Sequence, residues 1–347
     1  MTYTITLQPS GHSFDVKPGQ AILAAGLAAG LVMPYSCKTG VCRTCRGKVL
    51  DGRVELGNVH AHYLTEADRA MGLALLCQAR PLSDVVIEVN ELKLASIPAA
   101  IVPARVKRIA RLADDVAQLE LRLPINENMR FAAGQYVDLL LEEGVRRSYS
   151  IATAPSPEGV IDLELHIRHL VGGLFTDRLF AGTIRERSMI RFEGPQGTFF
   201  LREDSRKPII LLASGTGFAP IKSLLLYAFS RRVNARRPIV FYWGGRRPAD
   251  LYLRDLVNVW VSAHENFRFV PVLSEAQGND GWTGRIGLVH RAVLDDFADL
   301  SAQQVYACGA PVMVEAARSD FTKYGCLPED EFFADSFLTQ ADRMQVF

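Results

Sequence analysis

No apolar run in the 347 residues approaches the ~18 that a membrane span requires. The opening MTYTITLQPSG shows no charged segment followed by an apolar one, so no secretory leader is expected and the chain reads as cytoplasmic. An excess of one charge sign is also missing. Lys and Arg number 39 against 38 Asp and Glu, and a net +1 leaves no footprint for nucleic acid or an anionic membrane. Arg231, Arg232, Arg236 and Arg237 have no interleaved aromatics and read as a solvated helix end and turn. Repeats and low-complexity tracts are absent. Cysteine is scarce, with six in the chain, and in a reducing compartment six thiols are no disulfide framework. Their spacing must then mean ligation, catalysis or nothing.

What is present changes rhythm twice, which predicts three modules in tandem, α+β, then β-barrel, then α/β. Over residues 1–93, TYTITLQP and SFDVKPG alternate apolar and polar residues around a PSGH turn, and read as a hairpin. QAILAAGLAAGLVMP has helical spacing, with Gly30 suited to a C-cap before Pro34. A small mixed sheet on one helix accounts for this part. The stretch 94–104, LASIPAAIVPA, has two prolines and no periodicity, and is expected to be a linker. From 105 to 204, six short strands separated by turns predict a small antiparallel barrel. From 205 to 347, apolar strands alternate with amphipathic helices, the pattern of a parallel sheet covered on both faces.

Four of the cysteines follow one spacing. Cys37, Cys42 and Cys45 form C-x4-C-x2-C and Cys77 follows in LLCQARP, the ligand pattern of a plant-type [2Fe-2S] centre. A structural zinc site would show two short hooks. Burial for packing alone is the remaining reading. In the barrel segment, RRSYS sets Arg147, Tyr149 and Ser150 on one strand, where a guanidinium, a ring and a hydroxyl could meet a flavin. VGGLFTDRL follows with Gly172, Gly173 and Thr176, a place for a pyrophosphate and therefore for FAD. In the third module the strand IILLAS runs into Gly215, Thr216 and Gly217, with Pro220 where the G-x-G-x-x-G fingerprint would have its last glycine. Such a turn still makes an anion site at a switch point. Arg246 and Arg247 in FYWGGRR stand where an NAD enzyme usually shows an acid; they are open to a 2'-phosphate or are simply solvated.

The order RRSYSIA, EGPQGTFFLRED, LLASGTGFAP, YWGG, VYACGAPVM and EFFADSF resembles the ferredoxin-NADP reductase superfamily over residues 2–338, with a ferredoxin-like YSCKTGVCRTC in front. The resemblance implies a β-grasp ferredoxin domain, a flavin-binding barrel and a nucleotide-binding domain. It implies that Arg147, Tyr149 and Ser150 contact FAD, with Ser150 near N5, and that Gly173 and Thr176 hold its pyrophosphate. Gly215, Thr216 and Gly217 would take the phosphates of NADH or NADPH, and Cys308 with Gly309 would pack against the nicotinamide. Asp335 would face the flavin, and Phe333 or Phe337 would cover its ring, although ten residues beyond Phe337 depart from relatives that end on a stacked aromatic. Ser150, Cys308 and Asp335 are then the expected catalytic positions. Electrons would pass from NAD(P)H to FAD to the cluster and on to an acceptor protein, a deoxysugar dehydrase or an oxygenase component, from a monomer. A free-flavin reductase and a redox-sensing module are the alternatives.

Overall fold

The computed structural model describes residues 2–92 and 97–336, which fall into two compact units divided between Pro98 and Ala99 and again between Ala334 and Asp335. Among the described residues no helix is long and apolar enough to cross a membrane.

In the first unit the expected hairpin forms from Tyr3–Gln8 and Ser13–Val16. Tyr3–Gln8 pairs in parallel with Val85–Glu88, and Arg46–Asp51 and Leu73–Leu75 complete a five-stranded mixed sheet. Its inward alternation, Ile5, Leu7, Val16 and Ile87, packs with Ile22 and Met33 in a fully buried core. The helix is short, Ile22–Ala28, because Gly30 takes φ +83° and the Leu31 amide returns to the Gly26 carbonyl.

The second unit begins at Ala99, five residues into the stretch 94–104 expected to be a linker. Ala100–Ala113 is a long strand, and its burial alternates through Val102, Ala104 and Val106. Small alanines and the prolines concealed this period-2 pattern, and Pro103 is accommodated opposite Arg191 on Met189–Gln196. The six strands run in the order Arg146–Ser150, Tyr136–Leu140, Met189–Gln196, Ala100–Ala113, Val116–Arg122, Asp162–Arg168. Neighbouring strands pair antiparallel throughout, and a bridge between Ile151 and Leu165 joins the two outer strands into a barrel.

Beyond the barrel, Ile209–Ser214 lies between Ile239–Gly245 and Gln304–Gly309, with Phe267–Leu273 and Arg285–Ile286 outward on one side and Phe332–Ser336 on the other. The first five of these pair in parallel. Apolar residues on both faces explain the continuous hydrophobic runs: Leu211 and Phe241 pack under the helix Phe218–Ser230, while Ile210 and Val305 pack on the opposite side with Phe321. The chain leaves Ile209–Ser214 in one direction and later returns on its other flank. That reversal is a topological switch point, where a crevice opens at the strand ends.

Candidate functional site

The ladder between Arg46–Asp51 and Leu73–Leu75 brings the cysteine loop and Cys77 together. The Leu76 amide donates to the Cys45 carbonyl at 2.9 Å, and the first helical amides, of Ile22 and Leu23, hold the carbonyls of Ala79 and Leu76 on either side of Cys77. Cys42, Cys45 and Cys77 are buried. The thiols lie in two hydrogen-bonded pairs. Cys42 draws the Cys37 thiol down to about 5, against the effect of burial, with Thr39 assisting. Hydrogen bonding to Cys37 and burial push the Cys42 thiol up, and Cys45 is pushed up in the same way beside Cys77. The Thr39 amide points at the Cys37 sulfur at 3.4 Å. Among the described residues no group of three or more His, Cys, Asp or Glu side chains is gathered as for a metal ion. Two thiol pairs fit a centre with two irons.

On Arg146–Ser150, the Tyr149 ring is 5.7 Å from that of Phe175 and burial raises its phenol pKa. Ser150 pairs with Tyr136 at the end of the strand, one residue before the closing bridge at Ile151. In the following loop the Thr176 hydroxyl donates to the Leu170 carbonyl at 2.9 Å and accepts from the Leu170 amide at 3.2 Å. A Cβ on Gly173 would fall 2.3 Å from that hydroxyl oxygen. Thr176 therefore braces the loop. Gly172, at φ +81°, donates its amide to Asp177.

At the switch point, Gly215, Thr216 and Gly217 form a short turn ahead of the helix Phe218–Ser230, with Pro220 buried in its first turn. A Cβ on Gly217 would lie 2.2 Å from the Cys308 carbonyl oxygen, so only glycine lets these two segments meet. Gly309, at φ +146°, passes equally close to Ser214, whose hydroxyl accepts from the Ala310 amide. The turn and the Cys308–Gly309 segment are thus brought together.

Sequence reading missed Arg168. Its guanidinium reaches from the barrel to within 3.4 Å of where a Gly215 Cβ would be, with ion pairs to Asp250 at 3.0 Å and Asp115 at 3.3 Å, and its Nε is buried without a hydrogen-bond partner. The signal was available: Glu164, His166 and Arg168 alternate along one face of a strand whose other face is apolar. Beside Arg168 a cleft is lined by Arg246 and Arg247 but also by Asp114, Asp115, Asp250 and Glu275, two cations against four carboxylates. Burial raises the Asp250 pKa, but the Arg247 and Arg246 amides and Arg168 outweigh it and hold the carboxyl below its usual range.

Asp335 is buried and accepts a hydrogen bond from Ser36 of the same unit. Phe333 stacks on Tyr306 at 4.8 Å with the Arg202 guanidinium over it. Phe337 lies outside the described residues.

Three family models match in succession: a 2Fe-2S iron-sulfur cluster binding domain over 5–82, an oxidoreductase FAD-binding domain over 103–201 and an oxidoreductase NAD-binding domain over 211–319. The chain is 41% identical over 340 residues, 97% of its length and 99% of the relative's, to a CDP-6-deoxy-L-threo-D-glycero-4-hexulose-3-dehydrase reductase of Yersinia pestis. It is 34% identical, with 98% of each covered, to reductase component 1 of a terephthalate 1,2-dioxygenase of Comamonas sp.. The solved structure of an Amycolatopsis cytochrome P450 reductase superposes with a TM-score of 0.77 at 33% identity, covering 97% of this chain and 99% of that one.

Proposed function

This chain belongs to the iron-sulfur flavoprotein reductases of the ferredoxin-reductase type, and from that premise we propose that it is an NADH-preferring reductase whose acceptor is a dehydrase acting on a CDP-linked deoxysugar. When bound, FAD takes two electrons from NAD(P)H as a hydride and the [2Fe-2S] centre passes them on singly, which is why the two share a chain. The modules are 1–93, 105–204 and 205–347, the barrel reaching back to Ala100.

The protein's part is to bind and orient. Arg147, Tyr149 and Ser150 hold the flavin. Gly172, Gly173 and Thr176 shape the loop for its pyrophosphate. Gly215, Thr216 and Gly217, with Pro220 starting the helix, take the phosphates of the nicotinamide dinucleotide, and Arg168 supplies the cation on the barrel side. Cys308 and Gly309 bound the nicotinamide, and Asp335 is the third catalytic position, with Ser150 and Cys308. Cys37, Cys42, Cys45 and Cys77 ligate the cluster.

The observation that carries the nucleotide preference is the charge of the cleft beside Arg246: even with Arg168 counted against its partners Asp115 and Asp250, four carboxylates face three guanidinium groups, which disfavours a 2'-phosphate of about −2 and suits ribose hydroxyls. Steady-state kcat/KM for NADH and NADPH decides this, and a preference for NADPH overturns it. The full-length likeness to a dehydrase reductase carries the choice of acceptor, and the likeness to a dioxygenase reductase supports an oxygenase component as the second reading. Anaerobic titration of the photoreduced protein with a purified CDP-hexulose dehydrase and a terephthalate-type oxygenase, each followed at the cluster's visible absorbance, separates the two. We assign a cytoplasmic monomer, to be checked by sedimentation.

A further inference from the structure

The strand Asp162–Arg168 has a second role beyond closing the barrel. Glu164 and His166 point away from the barrel core into a buried polar network with the nucleotide module, both lying within one compact unit. The Lys222 ammonium donates to Glu164 Oε2 at 2.6 Å, His166 Nε2 lies 2.7 Å from Glu164 Oε1, and His166 Nδ1 lies 2.9 Å from the Tyr252 hydroxyl. Lys222 is buried and the His166 side chain is wholly so.

The network stands next to both halves of the proposed hydride path. On the barrel side the Glu164 amide donates to Thr153 Oγ1 at 2.7 Å, and its carbonyl accepts from Ala152 at 2.8 Å, so it grips the segment running directly on from Ser150. On the sheet side Lys222 lies in the second turn of the helix that follows Gly217, and its neighbour Ser223 donates to the Thr153 carbonyl at 2.6 Å. Tyr252 follows Asp250, the partner of Arg168.

We propose that Glu164 and Lys222, completed by His166 and Tyr252, are positioning residues for hydride transfer, fixing the flavin-bearing strand against the helix of the phosphate turn. The inference rests on the reading that hydride passes from NAD(P)H to FAD. An apolar seam would hold the modules together without fixing their register, because burial is non-directional. A hydrogen-bonded ion pair is directional, and its burial is tolerated only while both partners stay in place. A reacting pair displaced by about 1 Å can lose on the order of a hundredfold in rate, so small relaxations here matter.

The test is stopped-flow reduction of the holoprotein by NADH in wild type, K222M, E164Q and the double variant, reading the limiting rate of flavin bleaching, the apparent Kd for NADH and the transient long-wavelength charge-transfer absorbance. K222M is expected to lower the limiting rate about tenfold or more with Kd within about twofold, to weaken the charge-transfer absorbance, and to retain FAD. The double variant should be no slower than K222M, since both remove one interaction. Should K222M fail to retain FAD, the near-isosteric E164Q carries the same expectation. FAD-loaded K222M or E164Q that bleaches at the wild-type rate overturns the inference, as does a loss that appears wholly in Kd. A wild-type protein that NADH does not reduce overturns the underlying reading and the inference with it.

Discussion

Glu164 and His166 make one expectation concrete at the scale of single residues. Burial raises the Glu164 pKa, but the hydrogen bond from His166 and the Lys222 charge outweigh it and hold the carboxyl at about 2, below its usual 4.5. A depressed carboxyl stabilises the folded state above its unfolded pKa, and that contribution is lost as pH falls from about 4.5 towards 2. Burial, opposed by Glu164, keeps His166 below its usual 6.5, so the unfolded chain takes up a proton that the folded one refuses. Both groups act in the same direction. The melting temperature of the holoprotein should fall as pH drops below about 6.5, more steeply below 4.5, and E164Q should flatten the lower part of that curve. A second expectation concerns the cleft. Glu275→Arg replaces one of four carboxylates with a further cation and should raise kcat/KM for NADPH about tenfold or more, while that for NADH falls. Unchanged ratios would place the adenosine ribose elsewhere. Arg246 and Arg247 show only part of this site's charge in the sequence, because the carboxylates that line the cleft with them come from positions as distant as Asp114 and Glu275, which only the fold assembles.

Elements were legible wherever apolar periodicity was strong and obscured wherever small or breaking residues diluted it. The parallel strands with their helices and the opening hairpin follow directly from their patterns, and Gly30 does end the first helix. Ala100–Ala113 was read in part as a linker because alanine carries little apolar signal and proline suggests a break. The cysteine spacing was legible in full, and the ladder between Arg46–Asp51 and Leu73–Leu75 brings the loop and Cys77 together. The covered polar face of Asp162–Arg168 was not, since its outward charges look like a solvated face until another module covers them. The turn Gly215–Gly217 yields the clearest expectation at this scale. Gly217→Ala sets a methyl against the Cys308 carbonyl, so NADH-dependent turnover should fall by at least tenfold while bound FAD is retained. Parallel loss of FAD would show that the turn supports the barrel as well.

Across the whole molecule, two compact units and a cysteine site confined to the first predict separable failures. Cys77→Ser should abolish the visible absorbance of the iron-sulfur centre and most cytochrome c reduction, yet leave FAD bound and ferricyanide reduction by NADH within about twofold of wild type. Cytochrome c reduction that survives would mean that electrons leave by another route.

The two faces of Asp162–Arg168 also bear on recombination between relatives. Leu163, Leu165 and Ile167 answer to the barrel, whereas Glu164, His166 and Arg168 answer to the module that follows, so one strand carries the compatibility code for two neighbours. A chimera cut at the sequence boundary near 204 would inherit the first set intact and mismatch the second. Exchanging flavin modules among these reductases should succeed when the three outward positions travel with the nucleotide module instead.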